Sequence, residues 1–366
     1  MKKIKDLEII DLDSELEEGT SQTEEKTENK KKKAATPEPE EEERPDLMDI
    51  LTGKLGHIIF ILIILIFVGL IVYKVWNWGT TVKSEYDPNN ISDEYEIEVL
   101  DNFVPLINET DIVGVDDGKT TIVAFGNAPF SDDRDSEDNL ARLIEEKTGA
   151  TVINCAIPDT YLAFEGSSVE SPESVMDIFN LYWLTTIACF DSDILYYYTE
   201  EQIESFPAEA VEVVEQLKTI DWETVDVITI MYDGSDYLDG REVYDIEHQT
   251  DIHTTYGNLC ASIELFQQCY PYIRIIVMSP TYAFGIDDDG EYISSDIKIY
   301  NEHPLSTYAG MMERGAYLHY VTYLDHIYGT VHEDNATQYL IDNIHLNLDG
   351  RHAVAERFKF ALEYFN

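Results

Sequence analysis

Thr121-Ile122-Val123-Ala124-Phe125-Gly126-Asn127-Ala128 is the stretch whose reading decides the fold. Five residues of high strand propensity or small size run without a polar break, then stop at a glycine and an asparagine. An apolar run of this length, bounded by turn residues, reads as a strand buried on both faces. The residues that follow switch to a helical period. Leu140, Leu143 and Ile144 share one face of a helix expected over Ser136–Thr148, with Gly149 as its stop.

The same alternation recurs to the end of the chain. Strands are expected at Ala150–Ala156, Val225–Met231, Ile273–Ser279 and Val321–Leu324. Helices are expected at Ser174–Phe190, Ala208–Ile220, Tyr256–Tyr270, Leu305–His319 and Leu348–Phe365. Strands alternating with helices imply a parallel sheet covered on both faces, an α/β three-layer fold. Gly285–Ile293, with Asp289-Gly290 at its tip, reads as a small hairpin insert.

In such a sheet, ligands bind beyond the carboxyl ends of the strands. Three strand ends carry small or polar clusters: Gly126-Asn127-Ala128, Asn154 to Thr160, and Tyr232-Asp233-Gly234-Ser235-Asp236. A fourth element, Asp342-Asn343-Ile344-His345, precedes the last helix and can set a carboxylate against an imidazole. In this order, the four elements resemble the sequence blocks of the SGNH (GDSL-type) hydrolase superfamily, over about residues 119–365. The resemblance implies a flavodoxin-like sheet and acyl-ester chemistry. It also implies a serine nucleophile, a histidine base oriented by an aspartate, and an oxyanion hole of two amides and an asparagine.

Carried over residue by residue, the resemblance gives a damaged site. His345 matches the base and Asp342 its orienting acid. Ala128 stands where the serine belongs, and a methyl group cannot attack a carbonyl. Pro158, or a deletion beside it, stands at the oxyanion glycine, and proline has no N–H to donate. Ser235 replaces the asparagine, with Asp236 retained after it. Asp233 replaces a glycine and brings negative charge toward the place where an oxyanion would form. The binding cleft is therefore expected to comprise Asn127, Ala128, Asn154, Pro158, Asp233, Ser235 and Asp236. Ser131 and Cys155 are the substitute nucleophiles to weigh.

Ahead of this domain, Ile58 to Tyr73 is uninterrupted apolar sequence, followed by Trp76 and Trp78. At about 1.5 Å per residue such a helix crosses a hydrocarbon core of about 30 Å. Residues 55–78 are expected to be a transmembrane helix and not a cleaved signal, because a long segment precedes them. Lys30–Lys33, Lys26, Arg44 and Lys54 precede it, whereas only Lys74 and Lys83 follow closely. This bias predicts a cytoplasmic N-terminus and an extracellular C-terminal domain in the cell membrane. Residues 1–54, rich in Glu, Lys, Thr and Pro, read as a disordered tail. Residues 79–118 read as a juxtamembrane linker and 119–366 as the folded domain.

The formal charge is −49. Residues 78–366 carry 56 acidic side chains against 13 basic ones, so a nucleic-acid partner is excluded by phosphate repulsion. The acidic string Asp132–Asp138 lacks the glycine of a calcium loop and suits a helix N-terminus, and no Cys/His spacing resembles a zinc site. No metal and no cofactor are expected. The four cysteines, Cys155, Cys189, Cys260 and Cys269, are expected as free thiols. Cys260 and Cys269 fall on one helix, roughly 13 Å apart, too far to join.

The sequence thus points to a membrane-anchored envelope protein with an SGNH-like domain that has lost its esterase nucleophile. It would bind a glycan or acylated polymer, or assemble with an envelope enzyme. The alternatives are an active acyl esterase or O-acyltransferase working through His345 and Asp342, and a scaffold acting through its cytoplasmic tail.

Overall fold

The computed structural model describes Ile58, residues 61–69 and residues 98–365. The chain divides into two units between Asp93 and Glu94. In the first, residues 61–69 are helical with solvent-exposed side chains. The rest of the expected membrane segment, 55–78, and the tail, 1–54, lie outside the described residues. Among the described residues no helix is long and apolar enough to cross a membrane.

The second unit is built on five parallel strands. They are β1 (Thr121–Gly126), β2 (Thr151–Asn154), β3 (Val227–Met231), β4 (Arg274–Met278) and β5 (Thr322–Leu324), in the spatial order 2-1-3-4-5. This is the flavodoxin-like order that the resemblance implies; the strand–helix alternation by itself implied the parallel sheet. Register aligns Gly126 with Met231, Met231 with Met278, and Met278 with Leu324, so four strands finish level with one another. Gly126 makes this possible. Its φ is +153°, and a Cβ there would lie 1.9 Å from the Met231 carbonyl oxygen, so any side chain would push β1 from β3.

Alternate side chains of β1 feed two cores. Val123 and Phe125 pack with α2 (Leu181–Phe190), α3 (Ala208–Leu217) and α4 (Thr255–Cys269). Ile122 and Ala124 pack on the other face with α1 (Leu140–Thr148) and α6 (Leu348–Glu363). Helix α5 (Leu305–Leu318) contributes Met312 to the first core and Tyr308 to the second. Every β1 residue from Ile122 to Phe125 is wholly buried, as its unbroken apolar run requires.

The boundary of the folded unit differs from the sequence expectation. It begins at Glu94, so part of the expected 79–118 linker belongs to the domain. Asn102 exchanges two backbone hydrogen bonds with Tyr323 of β5, and Asp101 pairs with Arg357 of α6. This segment covers the open edge of β5, which would otherwise present unpaired backbone groups.

Helix boundaries also shift where side chains cap the backbone. Helix α1 starts at Leu140, not Ser136, because Asn139 caps it by accepting from the Ala141 N–H. The helix expected over 174–190 breaks at Asn180, which is extended and caps α2. The hairpin is present, with Gly285–Ile286 paired to Tyr292–Ile293.

Candidate active site

Four chain segments meet beyond the carboxyl ends of the strands. After β1 the chain enters a four-residue helical turn, Ala128–Ser131, with Ala128 first in it. Asn127 precedes this turn and is buried. Its Nδ2 donates to the Thr160 carbonyl at 3.0 Å and to Asp233 Oδ1 at 2.8 Å. Its Oδ1 accepts from the Asp233 N–H at 2.9 Å. One asparagine thus ties together the ends of β1 and β3 and the loop after β2.

His345 and Asp342 form the pair that their spacing implies. Asp342 Oδ1 accepts the backbone N–H of Ile344 and of His345, which winds the chain back toward the carboxylate. Its Oδ2 then lies 2.7 Å from His345 Nδ1. Burial would raise the Asp342 pKa, but the backbone hydrogen bonds and His345 together outweigh it and bring the pKa below the ordinary value. Burial likewise opposes the His345 imidazolium. The hydrogen bond and charge of Asp342, with the charges of Asp132 and Asp233, overcome that and raise the His345 pKa. His345 Nε2 makes no hydrogen bond among the described residues, so the nitrogen a general base would use is open.

Asp132 belongs to this site, and the sequence reading took it only as part of an acidic string. It follows the Ala128–Ser131 turn, and its N–H donates to the Ala128 carbonyl at 2.9 Å. Burial holds its carboxyl above the usual range, with His345 and Arg351 opposing and Asp233 and Asp133 reinforcing. Arg351, buried on α6, pairs with Asp133 at 2.8 Å and supplies positive charge beside the cluster. The available signal was helical spacing: Asp132 is one turn beyond Ala128.

The other expected cleft residues divide. Ser235 is half-buried and opens a short helix, Ser235–Asp239, its N–H donating to Asp233 Oδ1. Pro158 lies in the turn after β2, where the Ile157 N–H bonds the Gly126 carbonyl and so keeps the turn beside β1. Asn154 does not offer its amide to the cleft. Its Nδ2 donates to the Phe130 carbonyl and its Oδ1 accepts from Ala156, which braces the Ala128–Ser131 turn from below. Asp236 is also drawn away. It is buried and accepts from the Leu162 and Ala163 N–H groups and from Thr255 Oγ1. Burial pushes its pKa up to about 6 against those donors and Arg241.

Neither substitute nucleophile is presented for attack. Ser131 is buried with its hydroxyl enclosed. Cys155 is wholly buried, and burial pushes its thiol up to about 12, so the thiolate is scarce at neutral pH. Among the described residues no three His, Cys, Asp or Glu side chains gather as a metal-ligating group. A cavity of about 530 Å³ opens elsewhere, at the amino ends of β4 and β5 against Val104, Ile107 and Arg274. It lies away from His345 and contains none of the site residues.

No family model matches the sequence, and no curated protein matches it. Among solved structures, the chain is similar to one described as a possible lipase from Chitinophaga pinensis, 14% identical, with 68% of this chain and 99% of that chain covered and a TM-score of 0.43. It is similar to a carbohydrate acetylesterase from Sinorhizobium meliloti at 12% identity, with 68% and 100% covered and a TM-score of 0.40. A third, a lipolytic protein assigned to the G-D-S-L family from Desulfitobacterium hafniense, is 12% identical, with 66% and 99% covered and a TM-score of 0.38. The 2-1-3-4-5 strand order and the Asp342–His345 pair agree with the SGNH-like fold that the resemblance implies.

Proposed function

We propose that this chain is a single-pass protein of the cell envelope whose extracellular SGNH-like domain binds its ligand without cleaving it. The ligand would be a cell-surface glycan or acylated polymer held in the inherited cleft, or an envelope enzyme assembled on it. The observation that carries this reading is Ala128. It opens the helical turn at the end of β1, where the resemblance requires a nucleophile, and it has none.

The surroundings point the same way. An oxyanion site needs donors aimed at developing negative charge. Here the groups near His345 include the carboxylates of Asp132, Asp233 and Asp342. Those charges favour the imidazolium over the neutral ring. Carboxylates and an imidazolium suit hydrogen bonds to sugar hydroxyls better than they suit a tetrahedral oxyanion.

One observation favours a second reading. The Asp342–His345 pair is intact and His345 Nε2 is open, so a water activated by His345 would make the domain an acyl esterase or O-acyltransferase. The test is turnover by the full-length protein in detergent micelles. With short acyl esters we expect no hydrolysis above a buffer control, and with envelope polysaccharide we expect retention on the immobilised protein. Robust hydrolysis that His345→Ala abolishes would overturn the binding reading in favour of the enzyme. A phenotype confined to deletion of residues 1–50 would instead favour a scaffold acting through its tail.

A further inference from the structure

Helices α2 and α4 pack side by side, and their carboxyl-terminal ends bring two cysteines together that lie 80 residues apart in sequence. Cys189 is the second-last residue of α2 and Cys269 the last of α4. Cys269 Sγ lies 4.0 Å from the Cys189 carbonyl oxygen, and Cys189 Sγ lies 3.7 Å from the Leu265 carbonyl, one turn back on α4. The Cys269 thiol is near enough to act on the Cys189 pKa. The seam is fixed on both sides, because Tyr270, next after Cys269, donates its hydroxyl to the Ala188 carbonyl and stacks on Trp222.

The other two cysteines have no such arrangement. Cys155 sits at the end of β2 and Cys260 packs against Gly315 of α5, both buried. Cys189 and Cys269 are each partly exposed. Residue exposure therefore singles out this pair as the one open to a small disulfide in solution.

We propose that Cys189 and Cys269 are a dithiol site that closes to a disulfide when the domain meets an oxidising thiol–disulfide couple. The thiolate of one cysteine attacks a sulfur of an external disulfide, RSSR, and displaces RS⁻. The second thiolate attacks the resulting mixed disulfide and displaces the second RS⁻. The two protein thiol protons end on the two RSH released, so two thiols and RSSR give one protein disulfide and two RSH. Burial and the neighbouring thiol raise the Cys189 pKa, which slows exchange near neutral pH and accelerates it as pH rises. Closure joins α2 to α4 across a long loop that contains β3, the strand that delivers Asp233 to the site. Restricting a loop of that length destabilises the unfolded chain and raises the melting temperature.

The test uses the full-length protein in detergent micelles, equilibrated with glutathione from reducing to oxidising ratios and then quenched in acid. Peptide mapping after alkylation reads the connectivity. Under oxidising ratios we expect a Cys189–Cys269 linked peptide, with Cys155 and Cys260 alkylated only after denaturation. Closure should raise the melting temperature by roughly 5–10 °C, and this shift should vanish in Cys269→Ser. In that variant Cys189 should be recovered as a mixed disulfide with glutathione. The proposal is overturned if Cys189 and Cys269 both stay alkylatable at the most oxidising ratio, or if the link that forms involves Cys155 or Cys260. Because mapping of the unmodified protein decides the connectivity alone, a variant that fails to fold does not leave the matter open.

Discussion

Asn127 and Asp233 hold each other through two hydrogen bonds, Asn127 Nδ2 to Asp233 Oδ1 at 2.8 Å and the Asp233 N–H to Asn127 Oδ1 at 2.9 Å. The pairing fixes a carboxylate at the end of β3 within charge range of His345. Its consequence is measurable on the imidazole. Asp233→Asn and Asp132→Asn should each lower the His345 pKa, and Asp342→Asn should lower it most because a direct hydrogen bond is also altered. Histidine ring resonances followed by NMR across pH report this. Titration of His345 that is unmoved in Asp132→Asn and Asp233→Asn would remove those carboxylates from the cleft.

The Asp342–His345 pair sets a pH window for stability. The His345 pKa is raised above 6.5, so its contribution is complete below about pH 6.5 and fades as pH climbs through the raised value. The Asp342 pKa is lowered below 3.8, so its contribution is complete above about pH 3.8 and fades as pH falls through the lowered value. Both side chains are 41% exposed, and solvent screening holds the pair to under about 1 kcal/mol. The melting-temperature difference between the unmodified protein and His345→Gln should be largest near pH 5 and shrink toward pH 9. A difference that grows with pH would reverse the assigned sign.

Restoring the nucleophile alone should recover little. Ala128→Ser returns a hydroxyl to the turn at the end of β1 while the Asp342–His345 pair stays intact, but Pro158 still lacks an N–H and the carboxylates remain. A missing oxyanion donor costs about 10²–10³ in rate, and catalytic groups that act as a unit do not repair additively. Hydrolysis of short acyl esters by Ala128→Ser should stay within about tenfold of background. Vigorous turnover would show that the oxyanion site is sounder than its residues indicate.

Much of this was legible in the sequence because it rests on short-range rules. The β1 run is apolar at every position from Ile122 to Phe125 because both of its faces are covered, and its end is marked by a glycine that no other residue could replace. The Asp342–His345 pair is readable because a carboxylate and an imidazole stand three positions apart, where one turn brings them together. What was not legible depends on long-range partners. Asn154 and Asp236 look like cleft residues at strand ends, yet both are spent on backbone groups, one on Phe130 and the other on Leu162 and Ala163. The Cys189–Cys269 contact joins two helices, and spacing along either one cannot reveal it.

Asp236 carries a structural prediction of its own. It satisfies two buried N–H groups in the loop after β2, and that loop supplies the Thr160 carbonyl that anchors Asn127. Asp236→Ala strands both donors, and each unsatisfied buried donor costs about 1–3 kcal/mol. Chemical denaturation should show a loss of roughly 2–5 kcal/mol. Asp236→Asn keeps one acceptor oxygen and should cost less. Equal losses in the two variants would mean that the charge, and not the accepted hydrogen bonds, holds the loop.

The last prediction concerns sidedness. The apolar run from Ile58 to Tyr73 is followed by Trp76 and Trp78, and basic residues cluster before it, at Lys30–Lys33 and Lys54. Basic flanks are retained on the cytoplasmic side, while the strongly acidic residues after the run have no such anchor. Protease added to intact cells should therefore release fragments of 94–366 and leave the tail protected. Within the described residues, cleavage should be slow from the Asn102–Tyr323 pairing onward, because that pairing closes the sheet edge. Protection of the C-terminal unit, with digestion of the tail, would invert the proposed orientation. It would also place the Cys189–Cys269 thiols in a reducing compartment, so protease mapping and disulfide mapping on the same cells check one another.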